Sequence, residues 1–402
     1  MRKFVWLFLA MLLAVIPVGS VFAQDAPPVL CGELDEEDCM ILEDAAAADS
    51  EVTSGAYDFS IDFEIAGIPG MPVEQIALSW VQESVYALDP NLEKDMMAYL
   101  EELDADSMGD VEVLSEVLNM AIDGADTEQA FEITISDDTA SLLSSEMGMP
   151  IPTKIGLHYA LVDGIIYVNI SELAAYVPEL AGLPIQGWVG TELAPLLYVA
   201  LAQIAADPSA MASMGPASAA LAGGAAGSTM TSEQLAIFEP FVDVQRLKDE
   251  EIDGEPAAIF STVFDFIEFA SSDVFIDYVA AQAAMAEQMG MEAVSDDDLA
   301  EMEEMMPMVA PMLFGGLDYE AQQAVGIDSG YTLATAVGMD WDLSSLLAMA
   351  ESDGESAMSD SEAVFYFGME TNKYGQNEVD GVPAPQGAFV LPAEMLMSMI
   401  GG

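Results

Sequence analysis

An α+β fold, made of antiparallel strands with helices inserted between runs of them, is predicted by three observations. Several segments alternate apolar and polar residues at the period of a half-buried strand. Two Asp-Gly pairs, Asp163-Gly164 and Asp253-Gly254, join such segments, and Asp-Gly suits the positive φ that a tight hairpin turn requires. Helical stretches interrupt runs of strands rather than following each strand in turn, which argues against a parallel Rossmann-type sheet.

Taken in order, residues 1–23 read as a secretory signal peptide. Arg2 and Lys3 form a basic start, residues 4–18 an apolar run, and Val21-Phe22-Ala23 a cleavage site. An apolar run of about 15 residues falls short of the ~20 that span a bilayer. The expected mature chain starts near Gln24, exported and soluble, and Val29-Leu30 before Cys31 departs from a lipoprotein signal. Residues 24–54 are acidic and alanine-rich and read as a mobile lead-in around one small loop. That loop is closed by Cys31 and Cys39, the only two cysteines, which an oxidising compartment would join in a disulfide.

Residues 55–400 read as the folded domain. Residues 57–65 alternate as a strand, residues 75–88 fit strand or helix equally, and residues 92–122 are helical with a break at 104–110. A strand at 131–135 precedes the clearest hairpin, 155–161 with 165–170, and helices follow at 172–180 and 191–206. Residues 207–231, centred on Gly223-Gly224-Ala225-Ala226-Gly227, form a flexible stretch. Strands at 241–248 and 257–266, helices at 272–289 and 297–314, and strands at 319–325, 331–341 and 363–371 complete the chain.

Charge narrows function. The chain has 71 acidic residues against 7 basic ones, a single histidine and a formal net charge of −64. Such a surface repels nucleic acid and disfavours anionic membrane. Hydrophobic residues still make up 52%, so the chain folds rather than forming an acidic tail. Self-repulsion implies weak screening by salt or divalent cations. The acidic runs 35–38 and 296–298 lack the spacing of a calcium loop, and the second, after Ser295, reads as a helix cap.

Catalytic patterns are missing. The sequence has no GxSxG, HExxH, P-loop or GxGxxG, and His158 sits in a strand with no nucleophile motif beside it. Two cysteines and one histidine are too few for a zinc site. Glycoside hydrolysis needs two placed carboxylates in a sugar cleft with aromatic platforms, and aromatics are 8% of the chain. No enzyme activity, cofactor or metal is expected. Methionine is unusual: of 28 in the chain, Met285, Met289, Met291, Met302, Met305, Met306, Met308 and Met312 fall in one helical pair. Each is compatible with ordinary packing, but as a group they suggest an adaptable apolar face of the kind that can hold a lipid.

Several segments together resemble the bacterial lipoprotein-carrier superfamily, LolA-like and LppX/LprG-like. They are residues 161–168 with Gly187-Trp188, residues 244–254 with the strand 257–266, and the strand–turn–strand at 325–333. The resemblance implies a strongly curved antiparallel sheet, an open half-barrel with helices over its concave face and an apolar cavity between. It also implies binding of acyl chains without covalent chemistry. The lack of a lipobox cysteine, the helical run at 92–122 and the stretch 207–231 depart from that pattern. The expectation is an exported, non-enzymatic binding protein for a lipid or other amphiphile, with Met285, Met289, Met305, Met306, Met312 and Phe314 lining the cavity. The alternative is a cell-envelope structural or interaction protein with a filled core and an acidic surface for cations or an envelope protein partner.

Overall fold

A computed structural model of the chain describes residues 28–69, 71–101, 111–147, 150–173, 187–198, 232–288, 296–344, 347, 363–393 and 395. The signal peptide, the flexible stretch 207–231, and the expected helices beyond residues 173 and 198 lie outside these residues.

The first half runs through α1 (Glu36–Ser50), β1 (Ser54–Ala66), β2 (Gln75–Leu88), α2 (Leu92–Glu101) and α3 (Val111–Asp123). It continues with β3 (Ala125–Ile135), α4 (Asp137–Met147), β4 (Lys154–Val162), β5 (Ile165–Asn169), α5 (Ile170–Leu173) and β6 (Trp188–Glu192). The second half contains α6 (Ser232–Phe238), β7 (Val242–Arg246), β8 (Glu250–Ile252), β9 (Glu255–Phe264), α7 (Phe266–Ala270) and α8 (Asp273–Gln288). It ends with α9 (Asp296–Phe314), β10 (Leu317–Gly326), β11 (Thr332–Asp342), β12 (Val364–Tyr374) and β13 (Phe389–Val390).

All of these strands join one 13-stranded sheet in the order β13-β6-β5-β4-β3-β2-β1-β12-β11-β10-β9-β7, with β8 also paired to β9. The pairs are antiparallel except β13 with β6. The sheet is open, because β13 and β7 lie at opposite ends of the order. This is the α+β class with an open antiparallel sheet that the sequence predicts. Both Asp-Gly turns take the required geometry, with φ of 50° and 73° at Asp163 and Gly164 and 51° and 90° at Asp253 and Gly254.

Register divides the sheet into two chemically different faces. Opposed residues in an antiparallel pair point the same way, and successive residues alternate. In β1, Tyr57, Phe59, Ile61, Phe63 and Ile65 therefore share one face, and Asp58, Ser60, Asp62 and Glu64 the other. On the first face they meet Ser84, Gln82, Trp80, Leu78 and Ile76 of β2 and Lys373, Thr371, Met369, Phe367 and Phe365 of β12. We call this the inner face, because helices pack on it at both flanks. Toward β4, Ile122 at the end of α3 and Leu193 and Leu197 of the helical turn 193–198 close over Phe131, Leu157, Tyr159, Leu161 and Ile166. Toward β7, Leu42 and Ala45 of α1 close over Val244, Ala258, Phe260 and Val325.

Two local expectations need correction, and one left open is resolved. The segment read as a mobile lead-in holds α1, a four-turn helix that is part of the core. Asp35 caps it by accepting bonds from the Glu37 and Asp38 amides at 3.1 and 3.0 Å, and its first turn is acidic, which suits the helix dipole. Acidic residues at both ends hid the short buried stripe, and what fixes the helix is distant in sequence. Arg246 on β7 pairs with Asp38, and Lys373 on β12 pairs with Asp49 at 3.0 Å. The ambiguous segment 75–88 is wholly strand, because β1 and β3 flank it on both sides. Thr191 and Glu192, expected to begin a helix, finish β6 opposite Ile166 and Ile165, and the helical turn starts only at residue 193.

The Cys31–Cys39 disulfide is formed, with the Cα atoms 5.4 Å apart. It ties the segment before α1 to the helix's first turn, and Val29, Leu30 and Leu34 then pack onto the core under α1. Gly32 in this turn has φ of 52° and backs onto β7, where an added Cβ would lie 3.1 Å from the Val244 amide.

Candidate functional site

Between the two covered flanks, the inner face of β2, β1, β12 and β11 is apolar and only half-buried. Phe59, Ile61, Phe63, Leu78, Trp80, Phe365, Phe367, Met369, Val337, Met339 and Trp341 all retain solvent contact, whereas Leu157, Tyr159 and Leu161 of β4 are buried. Aromatic edges order this surface. Phe59 and Phe131 flank Trp80 with centroids 6.5 and 5.7 Å from it, and Phe63 meets Phe365 edge-on at 5.5 Å. At one end α9 closes the face, with Phe314 stacked on Trp341 at 6.1 Å and the Trp341 indole donating to the Leu313 carbonyl at 3.0 Å.

The opposite end is polar and buried. Gln82 donates from Nε2 to the Tyr57 hydroxyl at 3.2 Å and to Gln129 Oε1 at 3.1 Å. The Tyr159 hydroxyl also donates to Gln129 Oε1, and Gln129 Nε2 donates to Thr127 Oγ1 at 3.3 Å. Gln82, Gln129 and Tyr159 are 5%, 1% and 3% exposed. Burial pushes the Tyr159 phenol well above its ordinary range, so it is a neutral donor at physiological pH. Two further donors in this row have no partner among the described residues: the Trp80 indole N–H and the Ser84 hydroxyl are both buried.

The outer face carries the charge. Asp58 lies opposite Glu83 in the β1–β2 register, and the Tyr374 hydroxyl donates to Asp58 Oδ1 at 3.1 Å. His158 is here too, its Nε2 2.9 Å from Glu128 Oε1 and its ring against Trp188 at 4.6 Å, the structural place expected of it. Cys31, Cys39 and Glu43 come within metal-ligating distance of one another, but both sulfurs are committed to the disulfide.

The helical residues expected to line the cavity are distributed unevenly. Phe314 lies at the end of the inner face, and Met306 is half-buried on α9. Met305 and Met312 are 48% and 42% exposed. Met289 and the side chain of Met285 lie outside the described residues. The polar row was not anticipated. Gln82, Ser84 and Gln129 look like the solvent half of an alternating strand, and only the register with β1 and β4 turns them inward.

No protein-family model and no curated protein matches this chain. Among solved structures it is similar to the Mycobacterium tuberculosis lipoprotein LppX, at 9% identity and a TM-score of 0.25, over 87% of this chain and 100% of that one. It is similar to LprF from Mycobacterium bovis at 8% identity and a TM-score of 0.28, over 88% and 99% of the two chains. A putative outer membrane lipoprotein-sorting protein domain from Vibrio parahaemolyticus matches at 7% identity and a TM-score of 0.14, over 83% and 89%. These are proteins of the kind that the strand and turn pattern resembles. Identities and TM-scores this low say nothing about a ligand, which has to be read from the chain's own residues. No helix among the described residues is long and apolar enough to cross a membrane.

Proposed function

We propose that this is an exported, non-enzymatic binding protein that holds a lipid or other single-chain amphiphile against the inner face of β2, β1, β12 and β11. One observation carries the reading: the aromatic and aliphatic side chains at the centre of the face stay half-buried, between flanks where Leu157, Tyr159, Leu161, Ala258 and Phe260 are buried. A filled core would bury both alike. Exposed apolar surface of this extent marks a binding site in a soluble protein. From Leu78 to Ser84 the strand rises about 20 Å, enough for one acyl chain, which fills half of a ~30 Å bilayer core. Each methylene taken up contributes about 0.8 kcal/mol, so a dozen contribute about 10 kcal/mol, from which the cost of association is subtracted. Phe314 closes the apolar end, and the α9 methionines Met305, Met306 and Met312 form an adaptable margin beyond it. The signal peptide and disulfide favour an extracytoplasmic location. The acidic outer face excludes nucleic acid and anionic membrane, and leaves an envelope protein as a possible second partner.

Native mass spectrometry of the protein purified from an exporting host, with organic extraction of bound material, tests this. A stoichiometric acyl-chain adduct is the expected result. An apo mass with no uptake of added fatty acid or phospholipid overturns the carrier reading in favour of an envelope interaction protein.

A further inference from the structure

Trp80 and Ser84 are both inward residues of β2, with Gln82 between them. The two rings that Trp80 touches, Phe59 and Phe131, are the register partners of Gln82, so the indole leans along the strand toward Gln82. Ser84 is 2% exposed and faces Tyr57 and Gln129 across the two strand pairs. Its hydroxyl and the Trp80 Nε1 nevertheless have no partner among the described residues, while the neighbouring amides and phenols are linked into a network. A buried donor without an acceptor is costly, and native proteins leave few of them. A third such group, Thr191 Oγ1, lies four strands away on β6 and belongs to the sealed flank.

Both idle groups can donate a hydrogen bond, and the indole can do nothing else. The one nearby cation on this face, Lys373, is paired with Asp49, itself bonded to the Thr332 amide at 3.1 Å. With a net charge of −64 around it, the row has nothing to balance an anion. Resting on the amphiphile-binding reading above, we infer that Trp80 and Ser84, four residues apart on β2, are two separate interior donors, each able to take an uncharged oxygen acceptor on the ligand, such as an ester carbonyl, with the acyl chain running toward Phe63 and Phe314. The protein then distinguishes an esterified chain from the same chain as a free carboxylate.

The test uses the full-length chain secreted by an exporting host and stripped of bound lipid, with Ser84→Ala and Trp80→Phe variants. Methyl oleate and sodium oleate are the probes, and both affinity and the infrared stretch of a 13C-labelled ester carbonyl are read. Wild type is expected to bind the ester more tightly than the carboxylate, with the carbonyl band shifted to lower frequency. The variant at the donor that holds the carbonyl should weaken ester binding about 3- to 10-fold and move the band back toward its unbonded position. Ligand-free Ser84→Ala should melt no lower than wild type, since it loses an unsatisfied group and not a contact. A purely structural serine would give the opposite pair of results. Equal affinity for both probes, unchanged by either variant, overturns the role of these donors while leaving the binding face standing. Failure of both probes to bind overturns that role and the amphiphile reading together.

Discussion

Leu157 on β4 and Ile61 on β1 point into the same face of one sheet, three strands apart, and their surroundings differ completely. Leu157 is buried under α3 and the helical turn at 193–198; Ile61 is half-buried, with no such cover among the described residues. The flanks use the apolar face as a protein core, and the centre keeps it available. A sheet of this width cannot be read as one hydrophobic layer with one purpose. Its stability and its binding capacity are carried by different strands.

The largest expected effect tests that division directly. Leu157→Ala should cost about 2–5 kcal/mol of unfolding free energy in urea titrations, whereas Ile61→Ala should cost less than half as much in the ligand-free protein. Ile61→Ala should instead weaken acyl-chain binding. Equal losses of stability would mean that the centre is core after all.

Removing the disulfide with paired Cys31→Ser and Cys39→Ser changes comes next, at about 2–3 kcal/mol for a loop with a sequence separation of 8. Hydrogen exchange should rise over residues 36–50, which α1 covers, and stay unchanged in β1 and β2. A uniform rise would show that the β7 flank and the centre are not separable.

The smallest effect concerns the polar row. Burial raises the Tyr159 phenol in the folded state, so folded protein holds this proton at a pH where unfolded chain has released it. Stability is therefore fully present below the ordinary tyrosine value near 10 and falls as pH rises above it. The urea midpoint should decline from about pH 10 upward. Tyr159→Phe should flatten part of that decline, with Tyr86, Tyr319 and Tyr374, also raised chiefly by burial, contributing to the remainder. A slope unchanged by the substitution would place Tyr159 outside the buried row.

Much of the fold was legible because its signals are local. Asp163-Gly164 and Asp253-Gly254 mark their own turns, the alternation of residues 57–65 marks β1, and the Cys31–Cys39 bridge needs only its two cysteines. The features that escaped depend on partners far along the chain. Helix α1 reads as an acidic segment until Arg246 and Lys373, two of only seven basic residues, are placed at its ends. In β2, Val81 points outward while Gln82 and Ser84 are buried, so its own pattern contradicts its orientation and the neighbouring strands decide it. The methionine cluster drew attention to the helices, yet Met339 and Met369 on the strands are the methionines that register places in the half-buried centre.

The position of β1 between β2 and β12 sets an order for assembly. Its pairing with β2 is a local hairpin, but its pairing with β12 joins residues such as Asp58 and Tyr374, 316 positions apart. For an exported chain that emerges N-terminus first, that seam cannot zip until almost the whole polypeptide has crossed. High contact order makes the step slow. Until it happens, the aromatic wall of β1 waits beside an unpaired edge, the state in which a nascent chain is most prone to aggregate. The centre of the sheet is the last part of the molecule to become itself, and a holdase that covers an unpaired strand edge would matter most during that interval.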